Sequence, residues 1–166
     1  MAKKYPKTGL QAWKNKYYPT PATKVPKRRA LIHSINKWQG LQPEVLKKYR
    51  LKSYDRLIGT PKAIETIEVV HKGGDKYGVY AILDVHPDLQ RQVIAIDDES
   101  CALCMHYMSA DTDCEGCPLS EARGGVRCDR CMDGIEEMSP YEALTAYNNP
   151  RPMLAWLLLA QNKRKK

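Results

Sequence analysis

Three Cys-x-x-Cys pairs, Cys101/Cys104, Cys114/Cys117 and Cys128/Cys131, lie within 31 residues and account for every cysteine of the chain. Two residues between cysteines let both thiolates reach one ion across a tight turn, and two such pairs complete a tetrahedral sulfur site. The spacing is C-x2-C-x9-C-x2-C-x10-C-x2-C. Four ligands satisfy one zinc ion, and six are present. Cys101, Cys104, Cys114 and Cys117 are read as the first site. Cys128 and Cys131 either substitute for one of those pairs or join a second site, with a six-thiolate, two-zinc cluster as the lesser option. His106, two residues after Cys104, is a candidate replacement for a thiolate.

The expected cofactor is therefore zinc, one or two ions. An iron–sulfur cluster is the main competitor, because Cys-only ligation and the Cys117-Pro118 step suit it as well. Zinc leads because no electron-transfer partner or cofactor fold is visible. Chelation explains three clustered pairs better than a single reactive dithiol does. A catalytic zinc needs an open position, a water and a nearby acid or base, whereas all-cysteine sites are usually closed. No His-x-Glu precedes a Pro-Cys-x-x-Cys as nucleotide deaminases require. No nucleophile elbow, phosphate loop or dinucleotide fingerprint occurs. The metal is read as structural and the protein as more a binder than an enzyme.

The elements that must carry this box are short. The 166 residues suit one domain, and 43% hydrophobic residues with no Phe point to a modest core that a structural metal would help. The opening MAKKYPKTGL has charge but no apolar stretch behind it, so it does not read as a secretory signal. The apolar run Met153–Ala160 falls far short of the ~20 residues that span a bilayer. The expectation is a cytoplasmic chain with no membrane partner, whose paired cysteines are ligands rather than disulfides.

Charge is strongly polarised. The net value is +8, yet residues 1–64 carry sixteen Lys or Arg against Glu44 and Asp55 alone, and residues 65–150 carry six against seventeen Asp or Glu. Either the basic half faces a polyanion or an acidic partner, or it offsets the acidic half within the molecule. Residues 1–26, with Pro6, Pro19, Pro21 and Pro26 among lysines and aromatics, read as an extended basic arm. Trp13, Lys14, Lys16, Tyr17, Lys27, Arg28 and Arg29 are candidates to track phosphates and stack on bases. The competing reading of this stretch is a solvated tail.

Residues 27–64 read as a basic helical segment. A helix over 27–39 is entered from Pro26 and stopped at Gly40, with Leu31, Ile35 and Trp38 inward and His33 at the surface or boundary. Glu44–Arg50 forms a second helix and Ser53–Ile58 a short third turn. In outline this pair resembles a helix-turn-helix, with Lys52 and Arg56 as further nucleic-acid candidates, although plain helix packing gives the same pattern. Residues 65–162 hold the rest. Ile67–His71 and Val79–Leu83 are β-rich runs around a Lys72–Asp75 turn, so a hairpin is predicted. Residues 88–98 favour a helix over a strand. Asp97-Asp98-Glu99 reads as a solvated turn, Ser139-Pro140-Tyr141-Glu142 opens a helix, and Pro152 opens the last one, with Met153, Trp156 and Leu157 inward. Residues 163–166 form a basic tail.

Cys101-Ala-Leu-Cys104 … Cys114-Glu-Gly-Cys-Pro-Leu119 … Cys128, then Ser139-Pro-Tyr141 and Arg151-Pro-Met-Leu154, resembles a group of small uncharacterised proteins of bacteriophages and bacteria. Ile35-Asn-Lys-Trp-Gln-Gly-Leu41 and Leu46-x-x-Tyr49 are similar to an upstream segment of some of them. The resemblance covers roughly half the chain. It implies a phage accessory protein acting inside a bacterial host cell, and carries no assigned activity. Cys131 is a thiol the pattern does not require.

The resulting expectation is an α+β protein with an N-terminal helical segment, a small β-hairpin and a zinc-knuckle lobe with C-terminal helices. Its expected role is a zinc-stabilised module binding nucleic acid through the basic N-terminal region. The alternatives are an inhibitor or modulator of a host protein or ribonucleoprotein, and a metal-dependent nuclease.

Overall fold

A computed structural model describes residues 9–73, 78–109, 111 and 113–165. The fold is α+β. In chain order its elements are α1 (Leu10–Tyr17), α2 (Ala30–Gly40), α3 (Pro43–Lys48), β1 (Lys52–Tyr54), β2 (Leu57–Gly59), α4 (Pro61–Lys72), α5 (Val79–Val85), α6 (Pro87–Gln90), β3 (Val93–Ala95), α7 (Ala102–Tyr107), α8 (Pro118–Ala122), α9 (Pro140–Tyr147) and α10 (Arg151–Arg164). The strands form one antiparallel sheet in the order β1-β2-β3. Among the described residues no helix is long and apolar enough to cross a membrane.

The stretch expected to be an extended arm is part of the core from residue 9 onward; residues 1–8 lie outside the described residues, as does Lys166 of the basic tail. Trp13 is fully buried, and its indole N–H donates to Gly40 O at 2.7 Å. Ala22 and Val25 are buried as well. A Cβ on Gly40 would lie 2.7 Å from both the Trp13 and Tyr17 rings, so α1 can cross α2 this closely only because position 40 has no side chain. Leu31, Ile35 and Trp38 point inward from α2, which packs on α1, α7 and α10.

The hairpin is displaced from where it was expected. Lys52–Tyr54 and Leu57–Gly59 pair antiparallel through the two-residue turn Asp55-Arg56, with Asp55 at φ 48°. The helix-turn-helix outline fails here, because its second helix is this hairpin. The β-rich runs 67–71 and 79–83 are helical instead. Thr60 Oγ1 accepts from Ala63 N, Pro61 takes the first position, and Ala63, Ile64 and Ile67 share the buried face of α4. A cap followed by an apolar stripe of helical period outweighs the β propensity of Val and Ile. The same stripe recurs in α5 with Val79, Ile82 and Leu83. Of the expected Lys72–Asp75 turn, residues 74 and 75 lie outside the described residues. The boundary expected between residues 64 and 65 falls inside α4.

Residues 88–98 divide between both readings. His86-Pro87-Asp88 does open a helix, but α6 lasts one turn, and Val93–Ala95 then pairs with β2. The predicted cap on α9 is present: Ser139 Oγ accepts from Glu142 N at 3.1 Å. Met153 and Leu157 of α10 are buried and Trp156 is half-buried.

Two apolar clusters result. The larger gathers α1, α2, α3, α7, α8, α9 and α10 around the cysteines. The smaller is purely aliphatic at its centre: Leu57, Ala63, Ile64, Ile67, Val79, Ile82, Leu83 and Val93.

Candidate metal centre

The three cysteine pairs are not equivalent. Cys101 immediately precedes α7, and Cys104 sits within its first turn. Cys117 immediately precedes α8, with Pro118 in the first position. Cys114 and Cys117 close a tight turn through Cys117 N–H to Cys114 O at 3.0 Å. Asp113, Cys114 and Gly116 there have φ of 40°, 70° and 71°. A left-handed cysteine is an uncommon conformation, held by the surrounding turn. At Cys101 the Cys104 S–H, then the amides of Cys104 and Leu103, favour the thiolate; at Cys117 burial raises the thiol and the amides of Ser120 and Leu119 offset part of that. Neither arrangement reaches the geometry of a formal cap hydrogen bond.

The thiols influence one another strongly. Cys101 is lowered to about 6, first because the Cys104 S–H donates to it, while Cys104 is pushed far up as that donor. Burial, then the charges of Cys101, Asp129, Cys114 and Cys117, pushes Cys128 up to about 12. Burial also raises Cys114 and Cys117, and both feel the Cys101 charge. Five thiols thus form one electrostatic cluster. Cys131 stands outside it. Its thiol is exposed and donates to Glu136 O at 2.8 Å, and the charges raising it are carboxylates. The pairing of Cys128 with Cys131 as a unit is therefore not what the fold presents. His106 is also turned away: its Nε2 donates to Val25 O at 2.6 Å.

The segment carrying Cys128 is anchored from beneath. Arg123 is fully buried. It donates to Arg127 O, to Arg130 O at 3.0 Å and to Glu136 Oε2 at 2.5 Å. Trp156 Nε1 donates to the other oxygen of Glu136 at 2.8 Å, and Arg123 lies over the Trp156 ring. Tyr141 N–H donates to Cys128 O at 3.2 Å. A buried ion pair with this many charge-assisted bonds fixes one geometry for the loop.

A cavity of about 580 Å³ adjoins the thiols, lined by Lys37, Trp38, Cys101, Cys104, Cys114 and Cys128 among others. Residues from stretches as far apart as α2 and α10 meet there. The side chain of Lys37 is buried against the segment that enters the cluster. Asp97, read as part of a solvated turn, instead holds the residue just before Cys101 in place, its Oδ1 accepting from Ser100 N at 2.8 Å.

No group of three or more His, Cys, Asp or Glu among the described residues is in position to hold a metal ion. The five thiols are gathered rather than closed on a point. The donor set itself fits a soft, thiophilic ion: several thiols from three segments, with backbone amides directed at Cys101 and Cys117.

Of the candidate nucleic-acid residues, Trp13 is in the core and cannot stack on a base. Tyr17 is half-buried against Gly40 and Tyr49. Lys14 is partly buried, while Lys16, Lys27, Arg28, Arg29, Lys52 and Arg56 are exposed.

The chain matches no protein-family model, no curated protein and no solved structure.

Proposed function

We propose that the protein is a non-enzymatic, zinc-stabilised module that binds nucleic acid through its basic N-terminal half. One observation carries this reading. Lys16, Lys24, Lys27, Arg28, Arg29, Lys47, Lys48, Arg50, Arg56 and Lys62 are all exposed. Among the described residues none of these makes an ion pair; in that half only Lys52 does, with Glu68 at 3.4 Å. If this charge merely offset the acidic half, carboxylates would stand beside these cations. Lys16, Lys27 and Arg56 instead lie over the rings of Tyr17, Tyr107 and Tyr141. Such a set of cations without carboxylate partners is suited to phosphate backbones. Four of the five gathered thiols would hold one zinc ion, whose contribution is to fix the loops on which the helices rest.

The test is binding of labelled duplex and single-stranded oligonucleotides across a salt series. Affinity should fall steeply with salt. Lys27→Glu/Arg28→Glu/Arg29→Glu should weaken binding and reduce the salt slope by about one for each phosphate the variant no longer neutralises. Affinity insensitive to both salt and charge reversal would remove this reading.

A second reading, a modulator of a host protein, is favoured by one feature. Val69, Tyr80 and Val85 are exposed apolar residues on neighbouring α4 and α5. Recovery of a specific partner after nuclease treatment, abolished in Val69→Lys/Val85→Lys, would move the assignment to it.

A further inference from the structure

Among the described residues Lys37 is the one buried lysine, only 3% exposed. It reaches from α2 across to the segment that leads into the cluster. Its ammonium donates to Ala95 O at 3.2 Å, Ser100 O at 2.9 Å and Ser100 Oγ at 2.7 Å. Three donors meet three acceptors, which is the pattern of the charged form, since a neutral amine has only two N–H groups. All three acceptors are neutral. A buried charge that is hydrogen-bonded but unpaired is costly, so an anion must lie close by.

The neighbours able to carry a negative charge beside it are the Cys101 and Cys104 thiols and Asp97. The Asp97 carboxylate is engaged with Ser100 N–H and is partly open to solvent. Lys37 and Cys101, by contrast, line the same cavity with Cys104, Cys114 and Cys128. Arg127, another cation lining it, is already neutralised by Asp113 and Asp129. Arg56, on the same wall, is exposed and lies over the Tyr141 ring. Lys37, which also lies over the Tyr18 ring at 5.2 Å, is the buried cation of this wall without a carboxylate partner.

We propose that Lys37 is the built-in counter-cation of the thiol cluster, and that the centre it serves is net anionic, an all-thiolate site. One divalent ion with four thiolates carries a charge of −2. A site with three thiolates and one imidazole would carry −1, and one with two of each would be neutral and leave the ammonium uncompensated. This rests on the metal reading above and deepens it. It also accords with His106 pointing away toward Val25. Lys37 acts through the ligands rather than on the ion, so it is a positioning residue.

The experiment is cobalt(II) titration of the metal-free full chain against a competing chelator, with the thiolate-to-cobalt charge-transfer band recorded. The wild type should bind with the intense band of a four-thiolate site. Lys37→Met, which fills a similar volume without charge, should lower affinity by about ten- to a hundredfold and weaken or shift that band. Its metal-free form should melt no lower than the wild type, because an apolar side chain suits the buried position. Asp97→Asn, which keeps the acceptor for Ser100 N–H, should lower cobalt affinity less than Lys37→Met does. A folded Lys37→Met chain with wild-type affinity and spectrum would overturn the proposal, as would a larger loss in Asp97→Asn than in Lys37→Met. If Met is not accommodated, Lys37→Gln supplies the neutral comparison and is held to the same result. A wild-type chain that takes up no cobalt would instead overturn the metal reading itself.

Discussion

The two apolar clusters are built on different principles. The smaller one, between α4, α5 and the sheet, is closed by Leu57, Ile64, Ile67, Val79, Ile82, Leu83 and Val93, with a capped helix and a three-stranded ladder around them. It needs nothing but aliphatic burial. The larger one encloses irregular stretches, among them residues 123–139, that have little regular hydrogen bonding of their own. These are fixed by side chains that reach the backbone: Arg123 beneath Arg127 and Arg130, Lys37 at Ser100, Tyr141 at Ile96 O. The contrast teaches where a metal would matter. Ordinary packing supports regular elements, whereas loops bearing thiols need a cross-link to become a defined surface.

Removing the thiols should have the largest effect. Cys101→Ser/Cys117→Ser should abolish metal uptake and amide-exchange protection in residues 101–139, while α4 and α5 remain protected. Structural zinc contributes on the order of 10 kcal/mol in small modules, so the loss should be complete rather than graded. Cys131→Ser, by contrast, should leave metal content unchanged.

Next in size is Arg123→Ala. It leaves Glu136 without its buried partner and should cost about 3–5 kcal/mol, read as a lower denaturant midpoint with increased exchange around Cys128. Ile67→Ala makes the reciprocal test. Deleting this fully buried side chain should cost about 2–5 kcal/mol and open the smaller cluster, with metal stoichiometry unaltered.

The smallest effect concerns His33. Its Nε2–H donates to Thr20 O at 2.7 Å and its Nδ1 is buried without a partner. Burial lowers its pKa below the usual value of 6.5. The unfolded chain therefore takes up the proton first, and the stability held above pH 6.5 is lost as pH falls through the folded-state value. Melting at about pH 7 and about pH 5, on either side of the ordinary histidine range, should show a larger drop for the wild type than for His33→Gln.

What the sequence disclosed was local. Ser139-Pro140 ahead of Glu142, and Gly40 at the end of α2, act within one turn and are legible as such. The β-branched run at 67–71 misleads because the cap that decides it, Thr60-Pro61, stands well upstream in the same helix. The actual hairpin turns on Asp55-Arg56, which lacks the Asn-Gly or Asp-Gly signature. The burial of Trp13 depends on Gly40, 27 residues away, and that of Lys37 on Ser100, 63 residues away. Spacing alone identifies six thiols as a box, but the separation of Cys131 from the other five follows from the Arg123–Glu136 anchor, a long-range feature.

The most direct measurement is elemental analysis of the full chain purified without added metal, normalised to protein. One zinc per chain is expected, unchanged in Cys131→Ser. A chain that folds fully with no bound metal would contradict this, and so would iron with an equal amount of sulfide.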